Sequence, residues 1–448
     1  MSIYRPKQFI VLICLMMLSV TTQSQDPLNH YDGVIHVHSV YSRGKHTLEE
    51  LIQSAQARDI DIIIPTDTLV HRYEYGLWPL RQVPIITYEF ASVFKSGLKE
   101  YLHELNTLSE RYKSMVIIPG VEVTPFYYWE EHITKSRLVL NRANQDMIII
   151  GLEDERDYRL MPVIGNTTVY RWSSLGLMPV LPAIIPYRRP RYSPYYEPRH
   201  LAKPYQDVID YTRRKKACAF WAHPDGQDYQ KLSTVPNITV VKEQYGDFLL
   251  KTEGYTGFSY FMNGRSTTGH VGGSWDNALT QLCDGLRSEP VWAIAERDLG
   301  LMAHAYDIDQ CKTVFLLSAC TRESVMAALQ KGLCYGVLKT PEHEIVLERF
   351  EVTDGVHSAI SGQTLFTRGI PRLLISATAT DQKQHGVVLT AISRGTSVVN
   401  QRMIVPFSIS LSLEDIMSDA HTYIRIVITE HEYSEVVSNP IFIRRQQE

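Results

Sequence analysis

The stretch GVIHVHSVYSRG, Gly33 to Gly44, runs from a β-branched apolar segment into a polar turn. It reads as one buried strand that delivers its last residues to a loop. His36 and His38 flank Val37, and side chains two apart on a strand share a face, about 7 Å from each other. Two imidazoles so placed either ligate one cation or are two ordinary histidines. The rest of the chain decides between them.

Outward from this strand, apolar runs alternate with amphipathic ones. The strand-like runs are DIDIIIPT (Asp59 to Thr66), MVIIPGVEV (Met115 to Val123), MIIIGL (Met147 to Leu152), ACAFWAH (Ala217 to His223), GFSYFMN (Gly257 to Asn263), VWAIAE (Val291 to Glu296) and KTVFLLSA (Lys312 to Ala319). Between them lie helical patterns at Thr47 to Asp59, Val93 to Lys113, Pro204 to Lys216, Ser274 to Leu286 and Thr321 to Gly332. The first has Thr47 three residues before Glu50, a capping box. Alternation of this kind predicts an α/β fold with a parallel sheet and crossover helices, and Ile and Val on both strand faces suit a sheet covered on two sides. Seven or eight such units can close into a TIM-barrel-like (β/α) barrel. An open doubly wound sheet is the alternative, although no GxGxxG follows the first strand.

Two regions break the rhythm. From Asp154 to His200 the chain is rich in Pro, Tyr and Arg, including PYRRPRYSPYYEPRH, and reads as an irregular insertion or lid. From Pro341 the helical patterns stop and short alternating runs follow, the pattern of a β-sandwich. The expected organisation is therefore an α/β barrel over 25–340 and an accessory all-β sandwich over 341–448, with the boundary near Thr340.

The 448 residues are 44% hydrophobic and 21% charged, the balance of a folded protein rather than a disordered one. A net charge of −4 argues against a nucleic-acid partner. Arg5 and Lys7 precede the apolar run Phe9 to Val20, and a polar stretch follows. That predicts a signal peptide over 1–24, export to the periplasm or medium, and no stable membrane span after cleavage. Cys218, Cys283, Cys311, Cys320 and Cys334 lack paired spacing, so they are read as small buried residues rather than a disulfide framework or a thiolate zinc site.

Polar residues recur at the C-terminal ends of the predicted strands, where a parallel barrel builds its site. After the first strand come His36 and His38. The second ends in Asp67, the third in Glu122, the fifth in His223 of WAHPDG, and the seventh in Asp298 of AERDLG. All are of metal-ligand type and all fall at one end, which favours the cation reading of the histidine pair.

The ordered set HVHSVYSRG, PTDT, PGVEV, AHP and ERD resembles the PHP (polymerase and histidinol phosphatase) superfamily over Tyr31 to Leu338. The resemblance implies a distorted seven-stranded (β/α) barrel, two or three bound Zn²⁺, Mn²⁺ or Fe ions, and phosphoester hydrolysis. Carried over by position, His36, His38, Glu122 and Asp298 would hold the first metal. Glu122 would bridge to a second near His223, and Asp67 would ligate or orient a ligand, giving Asp67 and His223 catalytic roles. Three departures stand out. Thr68 and Gly300 replace family histidines, and Arg43 replaces a family acid. One or two ions are then expected rather than three, unless His46, His71, His132 or His304 compensates.

Imidazole and carboxylate donors suit Zn²⁺, Mn²⁺ and Fe²⁺ better than Ca²⁺. Arg188, Arg189 and Arg191 of the insertion can fork onto a phosphate, and Asn263, Trp221 and Trp275 are candidate pocket residues. The expected activity is an exported metal-dependent phosphoesterase acting on a small-molecule or carbohydrate-type ester. The competing readings are a degenerate barrel that only binds metal or ligand, and a metal hydrolase of another ester or amide.

Overall fold

The computed structural model describes residues 28–77, 81, 84–132, 137–169, 171–173, 187–189, 191–195, 202–232, 237–300 and 308–446. The expected signal segment and Cys14 lie outside them.

The opening stretch forms β1 (Asn29–Val37), and α1 (Leu48–Gln56) follows. The capping box is present: Thr47 Oγ1 accepts from the Glu50 N–H, and Glu50 Oε2 accepts from the Thr47 N–H. Leu48, Leu51, Ile52 and Ala55 are the buried stripe of this helix. Replacing Thr47 with Ala should lower unfolding stability by about 1 kcal/mol, read from the denaturant midpoint. An unchanged midpoint would show that the cap contributes nothing.

β2 (Ile62–Pro65) comes next, and then the helical pattern over Val93 to Lys113. It is not one helix. Gly97 at φ +118 separates the turn Val93–Ser96 from α2 (Leu98–Arg111), because that backbone angle lies outside the helical region and only glycine adopts it without strain. Then come β3 (Val116–Ile117), β4 (Gly120–Val123), β5 (Met147–Ile150), α3 (Lys203–Arg214), β6 (Cys218–Trp221), β7 (Gly257–Ser259), α4 (Ser274–Cys283), β8 (Trp292–Ile294), β9 (Cys311–Leu317), α5 (Arg322–Lys331) and β10 (Cys334–Leu338).

These strands form two sheets rather than a closed barrel. One runs β3-β2-β1-β9-β10 and the other β4-β5-β6-β7-β8, and no closed sheet is found among the described residues. The expected all-parallel array holds for β1-β2-β3 and for β6-β7-β8. It fails at β5, antiparallel to both neighbours, and at β9, antiparallel to β1 and β10. The physical reason at β5 is its connection. The chain leaves β4 through the hairpin of Tyr128–His132 and Arg137–Asn141, not through a crossover helix, so it can return in the opposite sense. Ile35, Ile62, Ile64, Ile148, Ile150, Phe220, Ile294 and Phe315 from both sheets gather into one apolar cluster, closed by Val325, Ala328 and Leu329 of α5.

Within the expected insertion, Arg171–Ser173 pairs with Tyr187–Arg189, and much of the remainder lies outside the described residues. Beyond Thr340 the structure is almost wholly β. Ile345–Thr353, Arg372–Ala379 and Phe407–Ser412 form one sheet, and His385–Ser393, His421–His431, Ser434–Ser438 and Ile441–Arg445 lie in the other. Leu347, Leu373, Ile375, Leu389, Ile426 and Val436 fill the core between them. The first sheet does not stop near Thr340, since β10 pairs antiparallel with Ser434–Ser438.

All five cysteines within the described residues are free. Trp221 and Trp275, expected to line a pocket, are instead fully buried. Trp221 packs among Tyr205, Tyr245, Phe248 and Tyr255, while Trp275 Nε1 donates to the Val291 carbonyl at 2.8 Å. Both are core side chains because large apolar rings gain most from complete burial.

Candidate metal centre

The bulge near the end of β1 places the histidine pair. Register shifts between Ile35 and Val37, so His36 is the extra residue, with φ +66. A bulge re-aims its side chain, so the two rings do not keep plain strand alternation; their centroids lie 5.2 Å apart. His223 at φ +35 and Asp298 at φ +54 share this left-handed backbone. Such residues are uncommon outside glycine, cost roughly 1–3 kcal/mol each, and concentrate at functional sites.

Glu122, at the C-terminal end of β4, is the shared element of two donor groups. In the first, donor atoms of His36, His38, Glu122 and Asp298 all lie within 4.8 Å of one another. His36 Nε2 is 3.2 Å from Glu122 Oε1 and 3.5 Å from Asp298 Oδ1, and His38 Nε2 is 3.2 Å from Asp298 Oδ1. In the second, Glu122 joins Asp146 and His223 within the same limit. His223 Nε2 lies 3.5 Å from Glu122 Oε1 and 3.6 Å from Asp146 Oδ2. Thr68 donates its hydroxyl to Glu122 Oε2 at 3.0 Å and so orients the carboxylate.

Outer partners hold the donors in place. Glu296 Oε2 meets His36 Nδ1 at 2.8 Å, a carboxylate–imidazole contact that fixes the ring and leaves Nε2 facing the centre. Lys242 Nζ donates to His223 Nδ1 at 2.9 Å. Asp67 is not in either donor group. Its Oδ1 accepts from the Ser39 N–H at 2.8 Å and from Ser42 Oγ at 2.5 Å, and its Oδ2 accepts from Ser39 Oγ at 2.7 Å. Ser42 Oγ also meets His38 Nδ1 at 3.1 Å, so Asp67 acts on His38 through the turn. Of the two roles expected for it, orienting is the one these hydrogen bonds support.

Asp146 and Glu296 were missed as site residues. Asp146 precedes β5 rather than following it. In an all-parallel array that end of a strand is remote from the site, but β5 is antiparallel and brings Asp146 to Glu122. Glu296 is quoted in AERDLG, where nothing distinguishes it from a turn acid. Of the histidines expected to compensate, His71 and His46 enter neither group among the described residues. His71 packs 4.6 Å from Phe90, and burial pushes its imidazole down to about 4. His46 is 3.8 Å from Glu50 on the surface. His304 and the side chain of His132 lie outside the described residues. So do the side chains of Arg188 and Arg189. Arg191 pairs with Asp207 at 2.9 Å, and Asn263 is exposed at φ +50, its carbonyl accepting from the Asp225 N–H.

Arg43 stands in the middle of the first group. Its Nη2 is 2.9 Å from His38 Nε2 and 3.2 Å from Glu122 Oε1, and it is in direct contact with Asp298 Oδ1. Two local features allow it. The turn is drawn tight by the Ser42 and Gly44 N–H groups donating to the Ser39 carbonyl, and a Cβ on Gly44 would sit 1.9 Å from the His38 carbonyl oxygen. Gly300 leaves open the space along the Arg43 stem, whose Cγ lies 3.7 Å from where a Cβ would be.

The electrostatics reflect excess buried negative charge. Burial opposes the charge on His36, but Glu296, Asp298 and Glu122 outweigh it and hold the imidazole well above its usual range. Burial likewise opposes ionisation of Asp298, yet His36 and Arg43 keep it far below the carboxylate range. Asp146 is pushed up to about 7, by burial first and then by Glu122. Glu296 is fully buried, and its Oε1 lacks a hydrogen-bond partner. Converging imidazole nitrogens and carboxylate oxygens fit a divalent cation, which would offset this negative charge.

No family model matches this sequence, and no curated protein matches it. Among solved structures, the chain is similar to a two-domain protein from Bacteroides vulgatus that contains a predicted PHP-like metal-dependent phosphoesterase. The two share 12% identity over 94% of this chain and 96% of the other, with a TM-score of 0.38.

Proposed function

We propose that this protein is a metal-dependent hydrolase of a small-molecule phosphoester, of carbohydrate type or similar. The observation that carries the reading is one buried carboxylate, Glu122, shared by two groups of imidazole and carboxylate donors. His36, His38, Glu122 and Asp298 would hold one ion, and Glu122, Asp146 and His223 another, Zn²⁺, Mn²⁺ and Fe²⁺ all suiting these donors. When bound, a divalent cation here supplies a water acidic enough to attack at neutral pH and neutralises charge on the phosphoryl oxygens. The chain's own groups do the rest. Glu296 and Ser42 fix the two imidazoles, and Thr68 fixes Glu122.

The deciding experiment is turnover of phosphomonoesters and phosphodiesters by purified protein, with and without chelator and with each metal restored. Chelator-sensitive turnover supports the proposal; metal-free protein with undiminished turnover overturns it. The proposal includes export, with a mature chain starting near Gln25 and the unit from 341 serving as an accessory domain. An intact Met1 on protein recovered from host cytosol would refute export. No helix among the described residues is long and apolar enough to cross a membrane.

A second reading, a metal- or ligand-binding site of reduced catalytic power, is favoured by Arg43. Its guanidinium lies among the donors of the first group, so it competes with an ion for them. At about 4 Å a unit charge in a partly polar protein site contributes ~4 kcal/mol. Replacing Arg43 with Ala should therefore raise Mn²⁺ or Zn²⁺ affinity at least ~10-fold, measured by equilibrium dialysis. Unchanged affinity would mean that the guanidinium leaves the group when metal arrives.

A further inference from the structure

A separate cluster lies at one end of the C-terminal sheets, in the part of the chain the proposed activity does not use. His343 sits in the turn before Ile345–Thr353, His385 begins the strand His385–Ser393, and Glu430 lies next to the last residue of His421–His431. His343 Nε2 is 2.8 Å from Glu430 Oε2, and His385 Nδ1 is 3.0 Å from Glu430 Oε1. The two rings stack with centroids 3.9 Å apart, and the donor atoms of all three residues fall within 4.8 Å of one another. We propose that His343, His385 and Glu430 form a binding site for one transition-metal ion, of which Zn²⁺ is the best match.

Three features carry this beyond a chance grouping. Both imidazoles present a nitrogen to the same carboxylate, and two nitrogens with one carboxylate make a borderline-soft donor set that suits Zn²⁺ rather than Mg²⁺ or Ca²⁺. Each ring is also held from behind by its other nitrogen. Asp381 Oδ1 faces His385 Nε2 at 3.0 Å, and Thr340 Oγ1 faces His343 Nδ1 at 3.2 Å. Partners of this kind set ring orientation in metal sites, and they raise ligand basicity when they are carboxylates. Finally, the cluster is half-buried, with side chains 10–14% exposed, so an ion can enter and water can complete its coordination.

The position gives the ion a role. His343 belongs to the segment that leaves β10 for the C-terminal sheets, and its neighbour Glu344 binds Lys312 of β9 at 2.6 Å. An ion held by His343, His385 and Glu430 ties that crossing segment to two strands of the C-terminal unit. The site is structural: it stabilises the junction and takes no part in turnover.

The test uses full-length protein stripped of metal, then titrated with ZnCl₂ and, separately, CoCl₂. Bound Zn²⁺ per chain should fall by one in His385→Ala and in Glu430→Gln, and should persist at this site in His223→Ala, which damages only the other centre. The Zn²⁺-induced rise in melting temperature should be smaller in Glu430→Gln than in the parent. The Co²⁺ visible absorption assigned to this site should vanish in both His385→Ala and Glu430→Gln. Should either of these fail to fold, His343→Gln in the turn carries the same three readouts. Zn²⁺ stoichiometry and melting shift unchanged from the parent in folded variants would overturn the proposal, leaving the cluster a hydrogen-bonded network. Because turnover is not a readout, failure here is distinct from failure of the hydrolase reading.

Discussion

Glu122→Gln should lower kcat/KM for any phosphoester the protein hydrolyses by at least ~100-fold, since losing even an outer partner of a metal ligand costs 10–100-fold. The reason is that this one side chain serves both donor groups. Its Oε1 faces His36 Nε2 at 3.2 Å, His223 Nε2 at 3.5 Å and Arg43 Nη2 at 3.2 Å, while Oε2 accepts from Thr68. An amide is uncharged and offers one acceptor oxygen in place of two. With its NH₂ in the place of Oε1 it meets the imidazole nitrogens of both groups, and with its oxygen there both groups still lose the negative charge. Metal analysis of Glu122→Gln should accordingly show loss from both positions, whereas His223→Ala should affect mainly one. A Glu122→Gln protein with parental metal content and turnover would place the chemistry elsewhere.

The second large effect is on stability. Arg425→Met should destabilise the protein by about 3–5 kcal/mol, the cost of breaking a buried ion pair by removing one partner. Arg425 Nε donates to Asp276 Oδ1 at 2.7 Å and Nη2 to Asp276 Oδ2 at 2.8 Å, and both side chains are completely buried. The guanidinium also lies 4.4 Å above the Trp275 ring, and Tyr423 donates its hydroxyl to Asp276. This pair joins α4 to the strand His421–His431, so its loss strands a carboxylate where the two parts of the molecule meet. Denaturant unfolding measures the loss. The double variant Arg425→Met with Asp276→Leu should recover most of it, because an apolar pair of similar volume has no charge to desolvate. A single variant as stable as the parent would mean that water reaches Asp276.

Much of the local structure was legible in the residues. The capping box at Thr47 and Glu50 names a helix start because its two hydrogen bonds are made within four residues of chain. The change from helical to alternating patterns after Pro341 is likewise local, since periodicity reports which side of a segment meets the core. Gly97 was the exception: apolar residues continue at helical spacing on both sides of it, and only the backbone angle reveals the break.

Chain direction is what the pattern left open. A run such as MIIIGL is equally apolar whether its strand is parallel or antiparallel, because burial does not depend on the sense of the strand. That reversal decided whether Asp146 lay at the site or at the far end of the sheet. Glu296 was hidden for a related reason: its partner His36 is distant in the chain.

By itself, the sequence determined the donor types, the order in which they occur and their position at strand ends. His36, His38, Glu122, His223 and Asp298 follow from that, because a residue's chemistry and its place relative to an apolar run are properties of the chain alone. Tertiary structure alone decided which of them face one centre, that Asp67 stands behind His38 rather than beside it, and that the Arg43 guanidinium lies among the donors. Those outcomes depend on a bulge at His36, on left-handed backbone at His223 and Asp298, and on the space left beside Gly300. Each arises from packing between segments distant in the chain, and no local pattern encodes it.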